Sequence, residues 1–232
     1  LEIHEYQSLS TAPLANIKDL IKRNINKIPK GRIFLNEIVH NGTKFTDKVP
    51  YIYRDMGVDI ELFQKQNDNF IYDIVYSGSI LGRKGLIEEI LRLAKIGFKI
   101  LIIGEVQNLI LENFRNYNNV KFVGKVKRSE LPELYSKCMA GLNYTPDIYP
   151  FNIQTSTKTL EYLASGLTLI SNKYQWIDNF SNRHSIKYIN TNNLKKIDDL
   201  KKIEYTNNFQ EFEWSNVLEK SNLYEFIMGI KN

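Results

Sequence analysis

Short, nearly all-apolar runs alternate along the chain with segments whose apolar residues recur at helical spacing. Residues 71–76, 99–103, 120–123, 139–144, 167–170 and 186–189 read as strands with few polar positions, the pattern of strands covered on both faces. Between them, 85–96 carries Leu86, Ile87, Ile90, Leu91 and Ala94 on one helical face, and 106–114 carries Val106, Leu109, Ile110 and Phe114. Ser129 is placed to cap a helix bearing Leu131, Leu134, Tyr135 and Cys138. Thr155 or Ser156 opens a further helix that Gly166 ends. Two helices close the chain, the last over 214–228. Ahead of this regular part, strands are predicted at 1–4, 32–36 and 50–53, with a helix over 15–27 that Gly31 follows. The polar stretch 63–69 is linker-like and puts a domain boundary near 58–68.

Regular alternation with short loops predicts an α/β fold: a doubly wound, Rossmann-like parallel sheet over 63–232, with a partial second α/β domain at the N-terminus over 1–62. Ligands of such sheets bind outside the carboxyl ends of the strands. The loops after Tyr76, Ile103, Val123, Tyr144 and Ile170 are therefore the places to look for chemistry.

Composition narrows the classes. The chain has 232 residues, 43% hydrophobic and 25% charged, as in soluble globular proteins. No apolar run nears the roughly 18 residues of a membrane helix. One cysteine, Cys138, excludes an internal disulfide and a Cys-rich zinc site, and fits a reducing cytoplasm. Three His without HExxH point to no metal. The formal charge of +5 suits phosphorylated ligands or anionic surfaces, but scattered Lys and the lack of any nucleic-acid signature argue against nucleic acid as a partner. The start, Leu1-Glu2-Ile3-His4, has no signal-peptide pattern and no initiator Met.

Four of the strand-end loops carry an ordered set of motifs. These are Tyr76-Ser77-Gly78-Ser79-Ile80-Leu81-Gly82-Arg83-Lys84-Gly85, then Leu101-Ile102-Ile103-Gly104-Glu105, then Val120-Lys121-Phe122-Val123-Gly124-Lys125-Val126, and finally Lys158-Thr159-Leu160-Glu161-Tyr162-Leu163-Ala164-Ser165-Gly166. In order and spacing they resemble the C-terminal, nucleotide-sugar-binding domain of the family 4 (group 1) glycosyltransferases, which have the GT-B fold. Tyr53-Arg54-Asp55-Met56-Gly57-Val58-Asp59 is similar to that family's interdomain linker. Ile3-His4-Glu5 is similar to a His-containing loop of its acceptor-side domain, so the resemblance implies that most of that domain precedes Leu1 or comes from a separate chain.

The resemblance implies a metal-independent, retaining sugar transfer from a nucleoside-diphosphate sugar, with no other cofactor, to a glycan, a lipid-linked or a protein acceptor in surface-polysaccharide assembly. A lipid-linked acceptor would bring peripheral membrane contact to a cytoplasmic enzyme. Departure of a diphosphate builds negative charge, which Lys, Arg and backbone N–H groups must offset. Arg83 and Lys84 sit on the Gly-rich loop, beside Gly78 and Ser79, where their cations reach a leaving phosphate. Lys84 matches the family's Lys, while Ser79 stands where the family has Arg. Free amides at the helix start, with Thr155, Ser156, Thr157 and Lys158, suit the same diphosphate. Glu161 matches the family's ribose-binding Glu; its plain alternative is an ion pair with Lys158. Ile153 stands where many relatives carry a second Glu. Lys125 and Val126 border the base, and His4 orients the sugar. Trp176 and Trp214 read as packing residues. A non-catalytic module that binds a nucleotide or a partner chain stays open beside the enzyme reading.

Overall fold

A computed structural model of the protein describes residues 1–11, 14–63 and 69–231. Residues 64–68 of the linker-like stretch lie outside these. In chain order the elements are β1 (Ile3–Tyr6), α1 (Ala15–Asn24), β2 (Gly31–Phe34), α2 (Glu37–Thr43), β3 (Tyr51–Tyr53), β4 (Tyr72–Ser77), α3 (Leu86–Ile96), β5 (Ile100–Ile103), α4 (Asn108–Glu112), β6 (Val120–Gly124), α5 (Leu131–Ser136), β7 (Cys138–Asn143), α6 (Thr157–Ala164), β8 (Thr168–Ser171), α7 (Gln175–His184), β9 (Ile189–Asn190), α8 (Trp214–Lys220) and α9 (Leu223–Lys231).

By contacts the chain divides into two units. One comprises Leu1–Gly57, Ile148–Thr155 and Glu211–Asn232; the other comprises Val58–Asp147 and Ser156–Gln210. The first change of unit thus falls at Gly57, and two later segments of the expected 63–232 domain group with the N-terminal part.

The first unit is built on a parallel sheet in the order β1-β2-β3, with His4 opposite Arg32. Tyr6, Leu9, Phe34, Leu35 and Val39 form its core, with Phe45, Met56 and Ile153 against them. The buried Arg32 is neutralised by both oxygens of Asp47, at 2.5 and 2.8 Å. Gly31 has no side chain because the rings and methyls of Phe226 and Ile230 from α9 occupy that space.

The second unit holds six parallel strands in the order β6-β5-β4-β7-β8-β9. Counted from its own first strand this is the 3-2-1-4-5-6 order of dinucleotide-binding folds, and the winding direction reverses between β4 and β7. Ile74, Tyr76, Ile100, Ile102, Ala140, Leu142 and Ile170 face one side, where Leu86, Ile90 and Leu93 of α3 bury their stripe. On the other side Tyr135 and Tyr162 are fully buried, and Gly141 gives the Tyr162 ring its space, so α6 lies close on β7.

The hydrophobic pattern and the structure differ in a few places. Helices α2 and α7 lie where the pattern predicts none. The expected 106–114 helix is confined to Asn108–Glu112, and the expected 214–228 helix is two, with Asn222 at φ 50° between them. The N-cap of α5 is Glu130 rather than Ser129 and makes no side-chain cap; its carboxylate instead accepts from the Lys127 N–H at 2.8 Å, at the start of the preceding 3₁₀ turn Arg128–Glu130. Among the described residues, no helix is long and apolar enough to cross a membrane.

Candidate functional site

In the second unit the carboxyl ends of β4, β5 and β6 finish in glycines that are linked together. The Gly78 N–H donates to the Ile103 carbonyl at 2.8 Å, and the Gly104 N–H donates to the Gly124 carbonyl at 2.8 Å. Gly104 has φ 143°, and a Cβ there would strike the Gly78 carbonyl, so only glycine permits this approach. Gly78 itself has φ 118°, and a Cβ on it would come within 2.9 Å of Lys158 Cε and 3.3 Å of Nζ. The Lys158 ammonium therefore rests on the bare backbone tip of β4.

Helix α6 delivers that lysine, and its first turn is tied to the tips of β7 and β8. Ser156 caps the helix, accepting from the Thr159 N–H at 3.4 Å, while its hydroxyl donates to Asn143 Oδ1 at 2.9 Å. The Asn143 amide donates in turn to Ser171 Oγ at 3.1 Å and the Tyr174 hydroxyl at 2.9 Å. Lys158 Nζ lies 5.4 Å from the centre of the Tyr76 ring. Burial against this surface, reinforced by the Arg83 charge and opposed by Glu161, pushes the Lys158 ammonium down to about 7.

Glu161 follows one turn later and is only 8% exposed. It forms no ion pair with Lys158 among the described contacts. Instead Arg128 Nη2 lies 3.4 Å from Oε1, and the Tyr135 hydroxyl donates to Oε2 at 3.4 Å. Burial raises the Glu161 carboxyl above its ordinary value, and Arg128 and Lys158 work against that rise. Arg128 is gripped from its other side by Asp59, Nε to Oδ2 at 2.5 Å. Behind Glu161, the Ser77 hydroxyl is 2.6 Å from that of Tyr135, and the Ser77 N–H donates to the Tyr162 hydroxyl at 2.9 Å. Burial raises both phenols, so they remain protonated.

Several residues singled out in the sequence thus converge at the switch point: Gly78, Arg83, Ser156, Lys158 and Glu161. Arg83 is half-buried and its charge is felt by Tyr76, Lys158 and Tyr174. Lys84, its neighbour, is exposed, and no described contact ties it to Lys158 or Glu161. Ser79 is exposed with its carbonyl accepting from the Tyr76 hydroxyl at 2.7 Å, and Thr157 opens α6. On the loop after β6, Lys125 is exposed and Val126 half-buried. Thr155 groups with the first unit, where its hydroxyl donates to Asp55 at 2.9 Å. His4, also in the first unit, pairs with Glu2 at 2.9 Å and borders a cleft of about 460 Å³ with Tyr6, Lys22 and Asn26. Trp176 stacks on Phe180, and Trp214 covers Gly57 with Arg54 over its ring. Arg128, Asp59 and Tyr135 were not singled out for the site. The Lys127-Arg128 pair at a strand-to-helix loop was the available signal for the first of them.

A family model described as glycosyl transferase-like matches residues 83–204, more than half of the chain and all of the segment from Arg83 through Glu161. The chain belongs to this family. No curated protein matches this glycosyl transferase-like chain in sequence. Solved structures do share its fold at low identity. Anabaena HepE, solved with UDP and glucose, matches with a TM-score of 0.70 at 12% identity, over 98% of this chain and 71% of HepE. AviGT4, a glycosyltransferase of avilamycin A biosynthesis, gives 0.62 at 12% identity, over 87% of this chain and 64% of its own. The β-glucosyltransferase of phage T4 gives 0.57 at 16% identity, over 99% and 74%. This chain therefore spans less than two thirds of the length of AviGT4.

Proposed function

We propose that the second unit binds a nucleoside-diphosphate sugar at the β4–β7 switch point and that the chain serves its transfer to an acceptor. The observation that carries this is the pairing, on one helix, of a cation pressed on a glycine strand tip with a buried carboxylate one turn later. Lys158 and Arg83 supply the positive charge a departing diphosphate requires, and the α6 amides add to it. Glu161 retains lone pairs for a vicinal diol, since a carboxylate has about four acceptor sites and Arg128 and Tyr135 use two. Family membership and the UDP bound by HepE support the same ligand class. With cations provided by side chains, transfer runs without a metal, and by resemblance it retains the anomeric configuration. By resemblance His4 takes part in orienting the sugar, which passes to a glycan, a lipid-linked or a protein acceptor.

Calorimetry with UDP, GDP, ADP and dTDP, followed by an assay of sugar release from the matching donor in EDTA, tests this. Binding of one of these nucleotides with donor hydrolysis or transfer is expected. Ser79 and Ile153, which stand where the family has Arg and many relatives have Glu, favour a second reading, a nucleotide-binding module completed by an acceptor-side partner. Binding with no turnover supports that reading, and no binding of any nucleotide contradicts both.

A further inference from the structure

The reading above gives Arg128 no task toward the nucleotide, yet among the described residues it is the one cation within ion-pair distance of Glu161. It stands on the 3₁₀ turn Arg128–Glu130 between β6 and α5 and is 57% exposed on its side chain. An arginine this exposed adds little to folding. It is nonetheless fixed, because Asp59 holds Nε at 2.5 Å while Nη2 is offered to Glu161 at 3.4 Å. The fork geometry of a guanidinium permits both at once.

The other groups facing Glu161 leave this cation a distinct task. From α5, Tyr135 donates a neutral hydrogen bond. From its own helix, Lys158 is attractive, but it loses charge near neutral pH, and Tyr162 turns its hydroxyl to Ser77 instead. From the segment ahead of the turn Ile60–Leu62, Asp59 repels. From the β4 loop, Arg83 acts on Lys158. Among the described residues Arg128 is thus the one cationic neighbour of Glu161 that remains charged at every working pH.

We propose that Arg128, braced by Asp59, is a positioning residue for nucleotide recognition: it is the counter-charge that keeps buried Glu161 ionised, so that the carboxylate can accept both ribose hydroxyls. This rests on the reading of Glu161 as the ribose acceptor. Arg128 acts through Glu161 and makes no contact with the nucleotide. A protonated Glu161 would offer a donor where the diol needs an acceptor.

The test is the carboxyl-carbon NMR titration of Glu161, assigned by the signal lost in Glu161→Gln, for wild type, Arg128→Gln, Arg128→Ala and Arg128→Lys. Both charge-removing variants are expected to move the Glu161 midpoint to higher pH, and the lysine variant to restore it in part. UDP affinity should then fall about fivefold or more below wild type at a pH between the two measured Glu161 midpoints and return to within about twofold at a pH well above both. An unmoved midpoint in a variant that melts like wild type overturns the proposal, as does an affinity loss of equal size at every pH. Failure of the wild type to bind any nucleotide would overturn the ribose reading, while the titration, which needs no nucleotide, still decides the counter-charge role.

Discussion

Replacing Lys158 with alanine lowers the affinity for UDP by roughly tenfold to a hundredfold, the loss of about 1.5–3 kcal/mol expected for a hydrogen bond to a charged group. The effect is large because, among the described residues, the ammonium has no carboxylate within ion-pair distance. It sits on the Gly78 backbone and the Tyr76 ring, with Arg83 repelling it, and only an arriving anion satisfies it. The same surroundings give the wild type a pH signature. The free ammonium titrates at about 7, below its ordinary value of 10.5. A diphosphate favours the charged form, so binding above pH 7 takes up a proton. Wild-type affinity should fall by up to about tenfold per pH unit above neutrality. Calorimetry in buffers of different ionisation enthalpy counts that proton directly. The Lys158→Ala variant should bind weakly, with neither the proton uptake nor this slope. An unaltered slope in the variant would assign the titration to another group.

Replacing Glu161 with alanine weakens UDP binding by about 1–3 kcal/mol, and the loss should shrink when 2′-deoxy-UDP replaces UDP. The second comparison separates ribose recognition from damage to the helix. Removing the carboxylate also frees Arg128 and Tyr135, which affects both nucleotides alike, whereas the diol bonds exist only for the ribonucleotide. Affinity for both nucleotides measured in one buffer gives the coupling. Equal losses for the two would remove Glu161 from the ribose. Wild-type affinity should also decline on the acid side as Glu161 takes up a proton, since burial holds that carboxyl above its ordinary value.

Much of this arrangement was legible in the sequence because it is written in local signals. Apolar runs fixed the strands of the second unit, and glycines at 78, 104 and 124 marked the strand ends where backbones approach. The Lys158–Glu161 spacing put a cation and a carboxylate one turn apart on a helix. What escaped was written elsewhere. Helix α2 contains Asn41, Gly42 and Thr43, all poor helix formers, and its start is declared only by the Asn36 cap, which accepts from the Val39 N–H at 3.0 Å. Helix α7 buries just Ile177 and Phe180 among polar residues, too narrow a stripe to stand out.

Side-chain direction was the second gap. Arg83 and Lys84 are adjacent on a loop, and nothing in the sequence says which turns to the site. The structure favours Arg83, with Gly82 and Gly85 at φ 74° and 88° setting the path around them. Long-range pairing was the third. Asp59 and Arg128 are 69 residues apart, and Tyr135 and Glu161 are 26 apart, so neither contact leaves a periodic trace. The return of 148–155 and 211–232 to the first unit has the same character, since it depends on contacts with β3 and the core around Tyr6 rather than on any break in local pattern.

The most direct measurement is a crystal structure of the chain with UDP. The expected density places the diphosphate on Lys158 Nζ at the Gly78 tip and both ribose hydroxyls on the Glu161 carboxylate. A nucleotide bound elsewhere, or one seated in this crevice with its ribose turned away from Glu161, would contradict the account.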